Sequence, residues 1–93
     1  MDIEKGNYRK LERVVKGFAN HWRIRIMDLL KEKPELSVAE ISETLKGDFK
    51  NISQHIGKMS IAGLVMKRHE GNLVRHKLSK VGEDVLRFVK LLR

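Results

Sequence analysis

Two stretches with a helical repeat of apolar residues meet at a three-residue break, Lys46-Gly47-Asp48. Ser37 followed by Glu40 is the pattern of a capping box, so it predicts where the first helix begins, and Asp48 is a suitable N-cap for the second. Two helices joined by a short turn that contains glycine form a helix-turn-helix. We therefore predict this motif over residues 37–63. The apolar positions expected to face inward from its second helix are Phe49, Ile52, Ile56 and Met59.

The hydrophobic period changes after Gly63, a residue suited to end a helix in the left-handed conformation. Residues 64–70 and 73–79 are extended in pattern and flank Gly71-Asn72, a dipeptide typical of tight hairpin turns. These segments predict a two-stranded wing over residues 64–79. Helical periodicity also predicts three further helices, over residues 6–18, 21–33 and 80–92. The predicted fold class is mainly α with a small β-hairpin, a winged helix-turn-helix in the order α-α-(short β)-α-α-β-β-α.

The chain has 93 residues and a formal net charge of +8, with no cysteine. This length allows one small domain, so we expect residues 1–93 to form a single unit. A strongly basic balance favours a polyanionic partner such as double-stranded DNA. The first 30 residues contain no long apolar run, which predicts a cytoplasmic protein without a signal peptide or a membrane contact.

The second helix of the predicted motif carries amide and basic side chains on the face opposite its apolar residues. Such groups hydrogen-bond base edges and phosphates in the major groove. Because recognition helices present their N-terminal residues to the groove, we predict that Lys50, Asn51 and Gln54 contact bases and that Lys58 contacts phosphate. The full set predicted to bind DNA from helix 49–62 is Lys50, Asn51, Ser53, Gln54, His55 and Lys58.

The predicted wing carries four basic residues against one acid, Glu70, whereas residues 34–47 are net acidic. Basic charge on a hairpin that follows a recognition helix favours contact with DNA phosphates or with the minor groove. The wing residues predicted to make these contacts are Lys67, Arg68, Asn72, Arg75 and Lys77.

The terminal helices, 6–18 and 80–92, have more apolar residues than one thin core requires. Excess apolar surface usually marks association, and small domains often gain stability by forming dimers. We therefore predict a homodimer whose interface contains Leu11, Val14, Val15, Phe18, Val85, Leu86, Phe88, Val89 and Leu92. The alternative is that the last helix packs only on its own domain.

Three segments, Phe18–Leu30, Leu36–Ile41 and Ile52–Val65, carry a family resemblance. Taken together, they resemble the ArsR family of bacterial and archaeal repressors, with Ala-Gly-Leu-Val at 62–65 leading into the wing. The start of the last helix, Ser79 to Gly82, is similar to that of MarR-type regulators. The resemblance implies a homodimeric transcriptional regulator, acting as a repressor, that places helix 49–62 of each subunit in successive major grooves.

Metal-sensing members of that family have cysteines near the third helix, or Asp and His ligands on the last helix. This chain has Val38 and Ala39 at the former positions and no histidine in residues 80–93. His69 and His76 share one face of the predicted hairpin but lack a third ligand for zinc. We therefore predict no metal site and no cofactor, and the sequence identifies no effector.

Two other functions fit the same composition. An architectural nucleic-acid-binding protein would use the basic charge without sequence preference, whereas a winged-helix protein-interaction module would bind no DNA. An enzyme is not expected, because the sequence has no cysteine nucleophile, no paired His-Glu metal motif and no glycine-rich phosphate loop.

Overall fold

The computed structural model describes residues 6–92, and within them it confirms the predicted order of helices and strands. Residues 1–5 and 93 of the predicted domain lie outside this range. The elements are α1 (Tyr8–Phe18), α2 (His21–Glu32), α3 (Val38–Leu45), α4 (Phe49–Ile61), β1 (Val65–Glu70), β2 (Leu73–Leu78) and α5 (Lys80–Lys90).

Side-chain caps fix the starts of four helices. Asn20, Ser37, Asp48 and Ser79 each accept hydrogen bonds from backbone N–H groups of the following turn, over 2.8 to 3.3 Å. The predicted capping box is confirmed, because the Glu40 carboxylate also accepts from the Ser37 N–H at 2.9 Å. These caps satisfy N–H groups that have no partner inside the helix, so they set the helix boundaries locally.

Gly63 ends α4 with a φ of +81°, which is the left-handed conformation expected from the sequence. The following N–H, of Leu64, donates to the Met59 carbonyl at 2.9 Å. This bond closes the end of α4 and directs the chain into β1.

The core lies between α2, α3 and α4 and is continued by the base of the wing and by α5. Its fully buried apolar side chains include Ile26, Met27, Leu30, Ile41, Ile52, Ile56, Met59 and Leu64. The prediction for Phe49 was wrong, because this side chain is 57% exposed. It occupies the first position of α4, one turn before Ile52, and extends past the covered part of the helix.

Two glycines allow close packing between elements. A Cβ placed on Gly17 would lie 2.5 Å from the Ala62 Cβ, and one placed on Gly82 would overlap the Leu64 carbonyl oxygen. Gly17 therefore lets α1 approach the end of α4, and Gly82 lets α5 approach the start of the wing.

The wing is an antiparallel pair in which Val65 faces Leu78 at the base and Glu70 faces Leu73 at the turn. Leu36, just before α3, forms a bridge to His76 at the outer edge of β2. The His76 N–H donates to the Leu36 carbonyl, and the Glu35 N–H donates to the His76 carbonyl, both at 2.8 Å. The predicted short extended segment thus attaches the wing to the helix-turn-helix.

No helix within residues 6–92 is long and apolar enough to cross a membrane.

Candidate nucleic-acid interface

The outward face of α4 contains most of the residues predicted to contact DNA from this helix. Ile52, Ile56 and Met59 face the core, so the polar residues between them face solvent. The exposed side chains of this face are Lys50, Asn51, Ser53, Gln54 and Lys58. Amide, hydroxyl and ammonium groups are therefore available at one surface to donate to base edges or phosphates.

His55 differs from the other predicted residues of α4 because it is only partly exposed and already has a partner. Its Nδ1 accepts a hydrogen bond from the Arg23 Nε at 3.1 Å. Burial, followed by the charges of Arg23, Lys58 and His21, lowers the pKa of His55. An arginine cannot accept a proton back, so the neutral imidazole carries its proton on Nε2. His55 thus links α4 to α2, which its position on the predicted outward face did not reveal.

The four basic residues of the wing are two arginines and two lysines. Both arginines are bound to acidic residues. The Arg68 Nε donates to Glu35 at 2.8 Å, and its Nη1 donates to Glu70 at 3.3 Å. The Arg75 Nε donates to Glu70 at 2.7 Å, and its Nη1 donates to the Glu35 carbonyl at 3.0 Å. Hydrogen bonds from Arg75 and Arg68 lower the pKa of Glu70. These arginines attach the wing to the segment before α3, a structural role that sequence reasoning missed.

The two lysines of the wing are exposed, and within residues 6–92 neither forms an ion pair. Lys67 is paired in register with His76, and Lys77 is paired with Met66. Since neighbouring strand residues point to opposite faces, the two lysines lie on opposite faces of the hairpin. Asn72 is exposed at the turn between the strands. A hairpin with one cation on each face is suited to a groove that has phosphates on both sides.

The predicted dimer residues fall into three groups by exposure. Leu11, Val15, Phe88 and Leu92 are exposed, by 41 to 67%. Val14, Phe18, Val85 and Val89 are partly buried. The prediction for Leu86 was wrong, because this side chain is 3% exposed and belongs to the core of its own domain. It projects from the side of α5 that packs on α2 and β2, whereas Phe88 projects from another side.

Within residues 6–92, no group of three His, Asp or Glu side chains is arranged to hold a metal ion. His69 is exposed, whereas His76 is buried with its Nδ1 3.0 Å from the Leu36 carbonyl oxygen. Burial is the main cause that lowers the pKa of His76. This imidazole is therefore a hydrogen-bonded part of the wing's base.

Comparisons with known proteins agree with this geometry. A family described as a helix-turn-helix domain matches residues 18–68. The structure is similar to the homodimeric winged helix-turn-helix DNA-binding domain of Mb0332 from Mycobacterium bovis, a possible ArsR-family transcriptional regulator. That similarity has a TM-score of 0.78 and 28% identity, and it covers 99% of this chain and 86% of the other.

Two further solved structures are similar over most of their lengths. HlyU from Vibrio cholerae is 32% identical with a TM-score of 0.77, covering 96% of this chain and 94% of its own. The transcriptional regulator HlyU from Vibrio vulnificus is 34% identical with a TM-score of 0.72, covering 92% and 86%. No match was found among curated proteins. Because the family match spans more than half of the sequence, the chain belongs to the helix-turn-helix domain family, and its resemblance to ArsR-type winged helix-turn-helix regulators is confirmed.

Proposed function

We propose that this protein is a cytoplasmic, homodimeric transcriptional repressor that recognises a specific DNA sequence. The observation that carries the proposal is the exposed face of α4, on which amide and ammonium groups lie beside one another while the opposite face forms the core. Bidentate contacts from such groups to base edges discriminate between base pairs by about 1 to 3 kcal/mol each. This amount is sufficient for sequence preference when several contacts act together.

In this proposal the parts of the single domain, residues 1–93, have separate roles. The helix-turn-helix at 37–63 recognises bases through Lys50, Asn51 and Gln54, with Ser53, His55 and Lys58 beside them. The wing at 64–79 contacts the backbone or minor groove. Lys67 and Lys77 are its main phosphate contacts, because Arg68 and Arg75 are engaged by acids.

Residues 6–18 and 80–92, which contain α1 and α5, provide the dimer interface. Support comes from their exposed apolar side chains and from the Mycobacterium bovis domain, which is homodimeric. Besides the exposed residues predicted for the interface, Tyr8, Val81 and Leu91 are exposed by 63, 46 and 77%. Surface of this kind on two terminal helices favours a second copy of the chain as the partner.

A dimer fixes the geometry of the operator. Two recognition helices on one face of the duplex require half-sites about 10 base pairs apart, or a multiple of this, from centre to centre. Since the dimer has twofold symmetry, the operator should be a pseudo-palindrome.

Selection from a random pool of duplexes, followed by sequencing, tests the proposal. We expect enrichment of a pseudo-palindromic motif with that spacing, together with a dimeric mass in analytical ultracentrifugation. Duplex binding without an enriched motif would instead identify an architectural nucleic-acid-binding protein. Failure to bind any duplex at low salt would identify a protein-interaction module.

A further inference from the structure

Arg23 of α2 connects three helices through hydrogen bonds. Its Nη1 donates to the Lys16 carbonyl in the last turn of α1 at 2.7 Å, and its Nε donates to the His55 Nδ1 of α4 at 3.1 Å. These two bonds join a helix of the proposed dimer interface to the proposed recognition helix. Sequence patterns assigned no role to Arg23.

The bond from Arg23 determines which nitrogen of the His55 ring is available to a partner outside the protein. Nδ1 is the acceptor on the side of α2, so the neutral ring carries its proton on Nε2, which points away from Arg23. Within residues 6–92 this Nε2–H has no acceptor, and it is not buried, since the buried side-chain polar atoms without a partner there are the hydroxyls of Ser42 and Ser60. His55 therefore presents one fixed N–H donor at the surface.

His55 lies at the margin of the outward face of α4, with Asn51 one turn before it and Lys58 about one turn after it. Both neighbours are exposed, whereas His55 is partly buried against α2. A side chain at the margin of a recognition helix faces the edge of the major groove, where the phosphates lie. Phosphate oxygens only accept hydrogen bonds, so they suit a ring that offers a single donor.

The surroundings of His55 favour its neutral form. Burial, followed by the charges of Arg23, Lys58 and His21, lowers the pKa of this ring. A second proton would occupy Nδ1, opposite the Arg23 Nε–H, and would break the bond between α2 and α4. A neutral donor differs from a lysine in one measurable respect, because it neutralises no phosphate charge and therefore adds nothing to the salt dependence of binding.

We propose that Arg23 is a positioning residue, which holds His55 so that its neutral imidazole donates from Nε2 to a phosphate of the DNA backbone. The inference rests on the proposed DNA-binding function. In this arrangement Arg23 acts through His55 and not by contacting the duplex itself. The bond from His55 adds affinity without sequence preference, because phosphates are the same in every sequence.

The first measurement tests the pairing without DNA. The pKa of His55 is measured by NMR titration of its imidazole in the unmodified protein, in Arg23→Met and in Arg25→Met. Arg25 provides the control, because it is an exposed arginine of the same helix whose guanidinium lies over the Trp22 ring, 4.8 Å from its centroid.

We expect Arg23→Met to raise the pKa of His55, since it removes both a positive charge and the donor to Nδ1. Arg25→Met should have a much smaller effect. Equal effects of the two substitutions, or no effect of either, would overturn the pairing on which the inference depends. Thermal unfolding of each variant confirms that it is folded.

The second measurement tests the contact with DNA. Binding to the selected operator and to an unrelated duplex is followed by fluorescence anisotropy over a series of salt concentrations. His55→Asn keeps an acceptor near the position of Nδ1 but removes the donor at Nε2, so it separates DNA binding from the link to α2. We expect it to weaken binding to both duplexes by about tenfold for each hydrogen bond lost, with an unchanged slope of log affinity against log salt. Unchanged affinity would contradict the role of His55 as a donor.

A double-mutant cycle tests whether Arg23 acts through His55. Arg23→Met should weaken binding with the same salt slope as Arg25→Met, and it should add little further loss when combined with His55→Asn. A slope that is lower than that of the control by about 0.9 for each phosphate would identify Arg23 as a direct phosphate contact. That result, or additive losses in the cycle, would contradict the inference. Failure of the proposed function is separate, since the unmodified protein would then select no duplex motif while the pKa measurement would still report the pairing.

Discussion

The two exposed lysines of the wing give a quantitative test of how the hairpin contacts DNA. Lys67 and Lys77 lie on opposite faces of the hairpin, and neither forms an ion pair within residues 6–92. If each lysine neutralises one phosphate, Lys67→Gln/Lys77→Gln leaves two phosphates without a cation at each subunit and four at a dimer. The slope of log affinity against log salt should then fall by about 3.6.

This change in slope is large enough to measure directly. Between about 50 and 200 mM salt, the unmodified dimer should lose about 150-fold more affinity than the variant does. Fluorescence anisotropy with the selected operator measures both affinities across this range. Arg9→Gln/Lys10→Gln on α1 is the control, since it removes the same charge at exposed positions away from the wing. If both variants have the same salt slope, the wing does not contact the backbone through these lysines.

Four further predictions concern recognition and stability. Gln54→Ala should reduce discrimination at one operator base pair by about 1 to 3 kcal/mol while leaving affinity for unrelated duplexes unchanged, as measured by competition with single-base operator variants. Gly57→Ala should raise the free energy of unfolding by about 0.5 to 1 kcal/mol in urea titrations, because a Cβ at this position of α4 meets no atom within 4 Å. Gly82→Ala should lower the free energy of unfolding by about 1 to 3 kcal/mol, since the added Cβ overlaps the Leu64 carbonyl oxygen. Equal effects of the two alanine substitutions would contradict the close approach of α5 to Leu64. Stability should also fall as the pH decreases below 6.5, the ordinary pKa of histidine, because burial lowers the pKa of His76 and the unfolded chain then binds the proton more readily. His76→Gln should reduce this pH dependence, and an unchanged profile would exclude His76 as its source.

Local sequence signals predicted the helix-turn-helix and the wing. The caps at Ser37 and Asp48 act within four residues, and the turn at Gly71-Asn72 joins adjacent strands, so each is visible in a short segment. Helical spacing also identified the buried residues in the middle of α4. It misplaced Phe49, because periodicity gives the direction of a side chain but not how far along the helix the covering elements extend.

Interactions between distant segments were not predictable in the same way. Arg75 donates to the Glu35 carbonyl, which lies 40 residues earlier, and Arg23 donates to His55, which lies 32 residues later. In both cases the sequence showed a cation of suitable type but not the partner that the fold places beside it. Leu86 was misassigned for a related reason, since α5 has apolar residues on more than one side and the spacing did not indicate which side faces the core.

The account depends most on the outward face of α4 being the surface that contacts DNA. Titration of the selected operator into the ¹⁵N-labelled protein, followed by NMR, tests this directly. We predict the largest amide shifts at Lys50, Asn51 and Gln54, with a second group in the wing at Lys67 and Lys77. Operator binding that leaves the amides of α4 unchanged would contradict the account.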